Sequence, residues 1–192
     1  VTPHKAMFPD IAKALKRQVE GRLPAIRITD LLLEVDTHTG FSNVFTHLRT
    51  GRTADNKLAL LTAILADGIN LGLTRMADVS PGLTMRQLAW AHDWHIREEG
   101  YTAAHAILVN AQRQLPLAGL WGDGTTSSSD GQYFPAGGHA EAIGDLNARY
   151  GPNPGAKFYR FTSDQYGAFH IIAMNANASE AIYVLDGLLY HG

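Results

Sequence analysis

Up to about Pro116, apolar residues return at three- and four-residue spacings, the signature of amphipathic helices rather than strands. Ile11, Leu15 and Val19 form one such stripe. A helix following Thr29 would turn Leu31, Leu32 and Val35 inward, and a longer one from Asp55 to Leu71 would align Leu58, Leu61, Leu65 and Ile69, with Gly68 weakening its last turn. The sharpest start signal is Thr84-Met85-Arg86-Gln87. There the threonine and the glutamine three residues on can close a capping box ahead of Leu88, Trp90, Ala91 and Trp94. A further helix is expected from Tyr101 to Gln114, and Pro116 ends the helical region.

From Gly119 the pattern changes. Gly, Ser, Thr and Asn become frequent, and short apolar runs replace long periodic ones. Lys157 to Thr162 and Ala168 to Asn175 flank the turn-like Ser163-Asp164-Gln165-Tyr166-Gly167 and predict a β-hairpin. Ser179 reads as the N-cap of a helix carrying Ala181, Val184, Leu185, Leu188 and Leu189. The expected fold class is therefore mixed α/β: a helical region over residues 1–118, then strand, turn-rich excursion, hairpin and helix over 119–192.

The chain has 192 residues, 45% of them hydrophobic, enough for a buried core. It has no cysteine, which excludes disulfides, thiolate metal sites and thiol nucleophiles. No apolar run reaches the roughly 18 residues of a membrane span, so a cytoplasmic location without a membrane partner is expected. The net charge of −2 does not favour DNA, but its distribution is uneven. Residues 1–27 carry six basic and two acidic side chains, and residues 119–192 carry three basic and seven acidic ones. A basic arm before a carboxylate-rich region suits a metal-dependent enzyme of nucleic acid, and equally suits solvated surface.

The most distinctive stretch is Leu120-Trp121-Gly122-Asp123-Gly124-Thr125-Thr126-Ser127-Ser128-Ser129-Asp130-Gly131-Gln132. It lacks the lysine and spacing of a Walker loop and contains no Gly-x-Ser-x-Gly elbow. A flexible linker is the simplest alternative; an ordered strand edge is preferred because Tyr133 and Phe134 follow and call for burial. Asp123 and Asp130 would face opposite ways on a continuous strand, and both also suit turns. This stretch resembles the transposases of class II replicative bacterial transposons, the Tn-three family. The resemblance extends upstream through Arg27 to Asp36, His47-Leu48-Arg49-Thr50-Gly51-Arg52 and Leu60 to Gly72. Downstream it takes in Asn147-Ala148-Arg149-Tyr150-Gly151, Phe158-Tyr159, Ser163-Asp164-Gln165-Tyr166 and Val184 to His191.

The resemblance implies a ribonuclease-H-like domain with an Asp-Asp-Glu triad. Such a triad binds two Mg2+ ions (Mn2+ as substitute), nicks DNA at transposon terminal inverted repeats and joins the freed ends to target DNA. It also places the first catalytic, metal-binding carboxylate at Asp130, within Ser128-Ser129-Asp130-Gly131-Gln132, with Asp123 as the alternative. Such sheets carry this carboxylate on their first strand, next to a hairpin of strands two and three and a helix leading to strand four. The present chain stops at that helix. The reading is thus the first half of the domain, truncated before the second Asp and the Glu, inactive alone, with the strand of Asp130 left as an open edge. The alternative is a non-catalytic DNA-binding or dimerisation remnant that modulates a full-length transposase by mixed assembly; a homodimer, nucleoid-associated when bound to DNA, is the expected partner state. A helical binding protein of another family is a third reading.

Other groups are weaker. Arg49, Arg52, Lys57 and Arg75 are candidates for DNA backbone contacts, with solvated surface as the competing account. His92, His95, Glu98 and Glu99 share a helical stretch but lack the His-Glu-x-x-His pattern. A helix burying Trp90 and Trp94 while exposing polar residues explains them more simply.

Overall fold

The computed structural model describes residues 9–135 and 147–189; Tyr190 and His191, the end of the last family-like block, lie outside the described residues. Helix α1 (Asp10–Glu20) carries the short-range pairs Lys13–Asp10 at 3.1 Å and Lys16–Glu20 at 3.7 Å. Its apolar stripe is not core: Ile11, Leu15 and Val19 are 81%, 60% and 51% exposed, and no residue of α1 is buried. Periodicity marks a face that can be covered, and no described element covers this one.

The first core forms where α2 (Ile28–Thr39) and α3 (Lys57–Gly68) meet α6 (Glu98–Arg113). Phe41, Phe45, Leu60, Leu61 and Ala104 are its buried centre, with Leu32 and Val35 against it as the pattern predicts and Leu31 exposed. Gly40, left-handed at φ 65°, ends α2 and turns the chain into a 3-10 turn over Phe41–Val44. Asp36 is buried beside that turn. Its carboxylate accepts from Ser42 N–H at 2.9 Å and from Lys57 Nζ at 3.2 Å, joining α2 to the start of α3. The Ser42 hydroxyl lies beside the same carboxylate. Gly100 on α6 lies flat against the Phe45 ring, where a Cβ would overlap it.

Helix α3 starts at the side chain of Asn56, which accepts from Ala59 N–H at 3.0 Å. Its buried positions are Ala59, Leu60, Leu61, Ala63 and Ala66, whereas Leu58 and Ile69 of the expected stripe are exposed. The reason is that α3 is covered on two sides. It meets α2 and, on another side, α4 (Leu73–Asp78) and α5 (Met85–His95), where alanines allow close approach. The short α4 was not anticipated, and α6 begins at Glu98 rather than Tyr101. Helix α5 has the expected capping box, with Gln87 N–H donating to Thr84 Oγ1 at 3.3 Å and Thr84 N–H to Gln87 Oε1 at 2.9 Å. It buries Leu88, Ala91 and His95; the expected burial of Trp90 is wrong, for that residue is 54% exposed and Trp94 only partly covered.

Beyond a 3-10 turn at Ala118–Leu120, strands β1 (Ser127–Pro135), β2 (Gly155–Ser163) and β3 (Ala168–Asn175) form an antiparallel sheet in the order β1-β2-β3. The strand at Asp130 and the hairpin are both present. Among the described residues β1 pairs only with β2 and is a sheet edge. Alternate residues give the sheet two unlike faces. On one, Tyr159, Phe161 and Met174 are buried with Phe169, Ile172 and Tyr183 around them. The expected helix from Ser179 is first a 3-10 turn, Glu180–Tyr183, and then α7 (Val184–Leu189), whose Gly187 is pressed onto the Phe161 ring while Leu185, Leu188 and Leu189 stay exposed. The whole is a mixed α/β architecture, helices first and a small sheet after.

Candidate functional site

The stretch from Leu120 to Gln132 divides into a clamped loop and a strand. Asp164, in the β2–β3 turn, accepts from Gly124 N–H at 2.9 Å and from Thr126 Oγ1 at 3.1 Å, and its own N–H donates to Thr126 O at 3.0 Å. Gln165 Nε2 donates to Gly122 O at 3.0 Å, and Gln112 Nε2 of α6 donates to Gln165 O at 2.7 Å. A side chain at Gly122 would overlap the Asp164 carboxylate, so glycine is required there. Tyr166 holds the left-handed φ of 61°, uncommon for a tyrosine, while its ring meets Trp121 edge-on at 5.2 Å. Together these contacts fix where β1 begins. Replacing Asp164 by Ala removes two acceptor contacts and is expected to cost about 1 kcal/mol, visible as a lowered urea midpoint and faster amide exchange over residues 122–128. Unchanged exchange there would refute the clamp.

Asp123 lies in this loop, not on the strand, so the two aspartates do not alternate along one strand. Its carboxylate accepts from Thr125 Oγ1 at 2.6 Å and Thr125 N–H at 3.0 Å, which closes a local turn. The Thr125 hydroxyl first, then its N–H, hold the Asp123 carboxyl below the ordinary range.

Asp130 sits mid-strand on β1, exposed, accepting from Gly131 N–H at 2.9 Å. Its cross-strand partner is Arg160. With Gln132, Phe134, Phe158 and Ile171 they line an open groove of about 380 Å³ on the less covered sheet face. Phe134 is thus 47% exposed rather than core, meeting Phe158 edge-on, while Tyr133 points the other way, stacks on Tyr150 at 4.7 Å and donates to Asn153 O. On that opposite face Ser129 pairs with Tyr159 OH at 2.6 Å, and the Glu180 carboxylate occupies the space a side chain at Gly131 would need. Glu180 is held 3.4 Å from Lys157 Nζ, which also donates to Ala178 O at 2.9 Å.

Among the described residues no group of three or more His, Asp or Glu is placed to hold a metal ion. Asp130 offers one carboxylate and faces an arginine across the ladder. These residues by themselves do not fit a two-cation centre, which needs several oxygen ligands around both ions.

The other sequence candidates separate in space. Lys57 is bound to Asp36 and has a structural partner. Arg75 is exposed on α4. Arg49 and Arg52 lie on a loop closed by His47 N–H to Arg52 O at 2.7 Å and Gly51 N–H to His47 O at 2.8 Å. Arg52 lines a second groove, about 720 Å³, with Arg86, Trp90 and Trp94; neither Arg86 nor the exposure of Trp90 was foreseen. His92 lies 3.5 Å from Asp67 and 3.3 Å from Asp93, His95 is buried with Nδ1 3.1 Å from Phe45 O, and Glu98 and Glu99 are exposed on α6.

An edge strand bearing one exposed carboxylate, with the flanking loop clamped to a hairpin, occurs here in a sequence that matches a transposase family over most of its length. The profile described as "Tn3 transposase DDE domain" matches residues 30–192, and the chain belongs to that family. It is 54% identical over its full length to the transposase for transposon Tn3926 of Escherichia coli and to that for Tn501 of Pseudomonas aeruginosa. It is 35% identical, over 91% of its length, to the transposase for transposon gamma-delta of Escherichia coli strain K12, of which it covers 18%. The chain spans 19% of the length of the first two relatives and is a fragment relative to them. Within the described residues no helix is long and apolar enough to cross a membrane.

Proposed function

We propose that this chain is the part of a DNA transposase that presents the first catalytic carboxylate, Asp130, of a ribonuclease-H-like domain. The observation that carries the reading is the position of Asp130. It stands exposed in the middle of an edge strand, within the block that resembles the family's, whereas Asp123 is consumed by its own turn. The antiparallel β1-β2-β3 order followed by a helix agrees with the start of such a domain. In this reading the substrate is DNA, cleaved at transposon terminal inverted repeats and joined to a target. With the remaining carboxylates in place, Asp130 would help to hold Mg2+ or Mn2+, which would supply Lewis-acid chemistry when bound. The remaining carboxylates come from the larger part of the transposase that this chain does not span.

The consequence for this segment is that it positions but does not complete the centre. A labelled transposon-end duplex incubated with the 192-residue chain and Mg2+ should show no nicking above background. Nicking that disappears in Asp130→Ala would mean that carboxylates within the chain complete the centre, and would sink the proposal. Salt-sensitive duplex binding without nicking would leave a purely DNA-binding role as the minimum this segment performs.

A further inference from the structure

We infer that the groove between the His47–Arg52 loop and α5 is a pocket for one unpaired nucleotide of DNA, the base stacking on Trp90 and the phosphate held by Arg52 and Arg86. The inference rests on the reading of the chain as DNA-acting. Trp90 carries the argument. Its indole is 54% exposed although it lies on a helix with a well-packed inner side. It is nevertheless supported from below: Trp94 lies 5.3 Å and His47 5.8 Å from it, and His47 stacks on Trp94 at 5.0 Å with 15° between the planes. Buried His95, 3.1 Å from Phe45 O, fixes the base of this shelf, against which His47 packs edge-on. A rigid aromatic surface with an open face is what a base without a stacking neighbour seeks.

The polar lining agrees. Arg52 and Arg86 line the same groove, and neither guanidinium has an ion-pair partner among the described residues. The backbone bonds that close the His47–Arg52 loop place Arg52 in advance, so little order is lost when an anion arrives. Asp55 also lines the groove, with no ion pair among the described residues, an acceptor suited to the exocyclic amine of a base. With Asp93 present as well, the lining carries as many carboxylates as guanidiniums. That balance argues against a surface that merely tracks phosphates, and for one in which the stacked base supplies much of the affinity. A duplex keeps its base faces covered, so the matching ligand is single-stranded or carries an extruded base. The volume of about 720 Å³ lies within the ~300–1,000 Å³ of small-molecule sites.

The test is anisotropy of a labelled single strand of about 12 nucleotides, within the span of known single-strand sites, titrated with the 192-residue chain. The same duplex and an abasic strand of equal length serve as comparisons. Trp90→Ala should weaken single-strand binding about tenfold, and Trp90→Phe should hold it within about threefold. Arg86→Gln should weaken it and reduce the salt slope by about one. The abasic strand should bind the unaltered chain about as weakly as the normal strand binds Trp90→Ala. Duplex affinity should not respond to Trp90. Wild-type affinity in a Trp90→Ala protein of unchanged circular dichroism would overturn the pocket, as would an abasic strand binding as tightly as the normal one. An equal loss for duplex and single strand would overturn it too. Retained duplex binding with indifference to Trp90 defeats the pocket alone; no binding of either form of DNA defeats the DNA-acting reading with it.

Discussion

Asp130→Ala, introduced at the corresponding position of a complete family transposase, should lower Mg2+-dependent nicking of a transposon-end duplex by about three orders of magnitude. On the proposed role of Asp130 as a metal ligand, its removal would forfeit several kcal/mol of transition-state stabilisation, and each 1.36 kcal/mol is about tenfold in rate. Asp123→Ala should stay within about threefold by the same scale, because that carboxylate is engaged by the Thr125 hydroxyl and N–H in closing its own turn. The pair of substitutions separates the two aspartates of the distinctive stretch. Because Asp130 is exposed and its one hydrogen bond among the described residues is to the next residue's N–H, the alanine protein should fold and bind the duplex normally. Equal damage from both substitutions, or greater damage from Asp123→Ala, would transfer the catalytic role to the loop.

Asp36→Asn should destabilise the chain by about 2 kcal/mol at neutral pH, the scale of a buried hydrogen bond to a charged group. Burial alone would raise the Asp36 carboxyl, but the Ser42 hydroxyl and N–H and the Lys57 ammonium outweigh it and hold it below the ordinary range. A carboxyl with a depressed folded-state value contributes stability that is present above its unfolded value, about 3.9, and is lost as pH falls through the lower folded value. The difference in urea-unfolding free energy between wild type and Asp36→Asn should therefore be full at pH 7 and close below about pH 4. A gap of the same size at pH 7 and pH 3 would show that shape, not charge, is what Asn fails to reproduce. Lys57→Met should remove part of the same gap, since its ammonium reaches the carboxylate at 3.2 Å.

The elements that sequence reading placed well are those governed by local chemistry. The Thr84–Gln87 capping box, the hairpin around Ser163–Gly167 and the strand through Asp130 depend on residues close in the chain, and all three are present. What failed was the assignment of faces. Leu58 and Ile69 look like core because leucine and isoleucine at helical spacing usually are, yet α3 is packed from two sides and small Ala59, Ala63 and Ala66 take the interior. Trp90 was expected inside for its size, but its position on α5 is set by where α3 and α4 approach, which no local pattern encodes. The clamp of Asp164 and Gln165 on Gly122, Gly124 and Thr126 joins segments some forty residues apart. The only sign of it in the sequence was that both segments belong to family-like blocks.

Gly131 places two acids, separated by some fifty residues of chain, against opposite sides of one strand: Asp130 in the open groove, Glu180 pressed beneath the glycine and neutralised by Lys157. The pleat thereby works as an insulating partition. The structural acid keeps its own counter-charge on its own side, while Asp130 has Arg160 as its partner across the ladder. A larger residue at 131 would push Glu180 away from Lys157 and dismantle that separation.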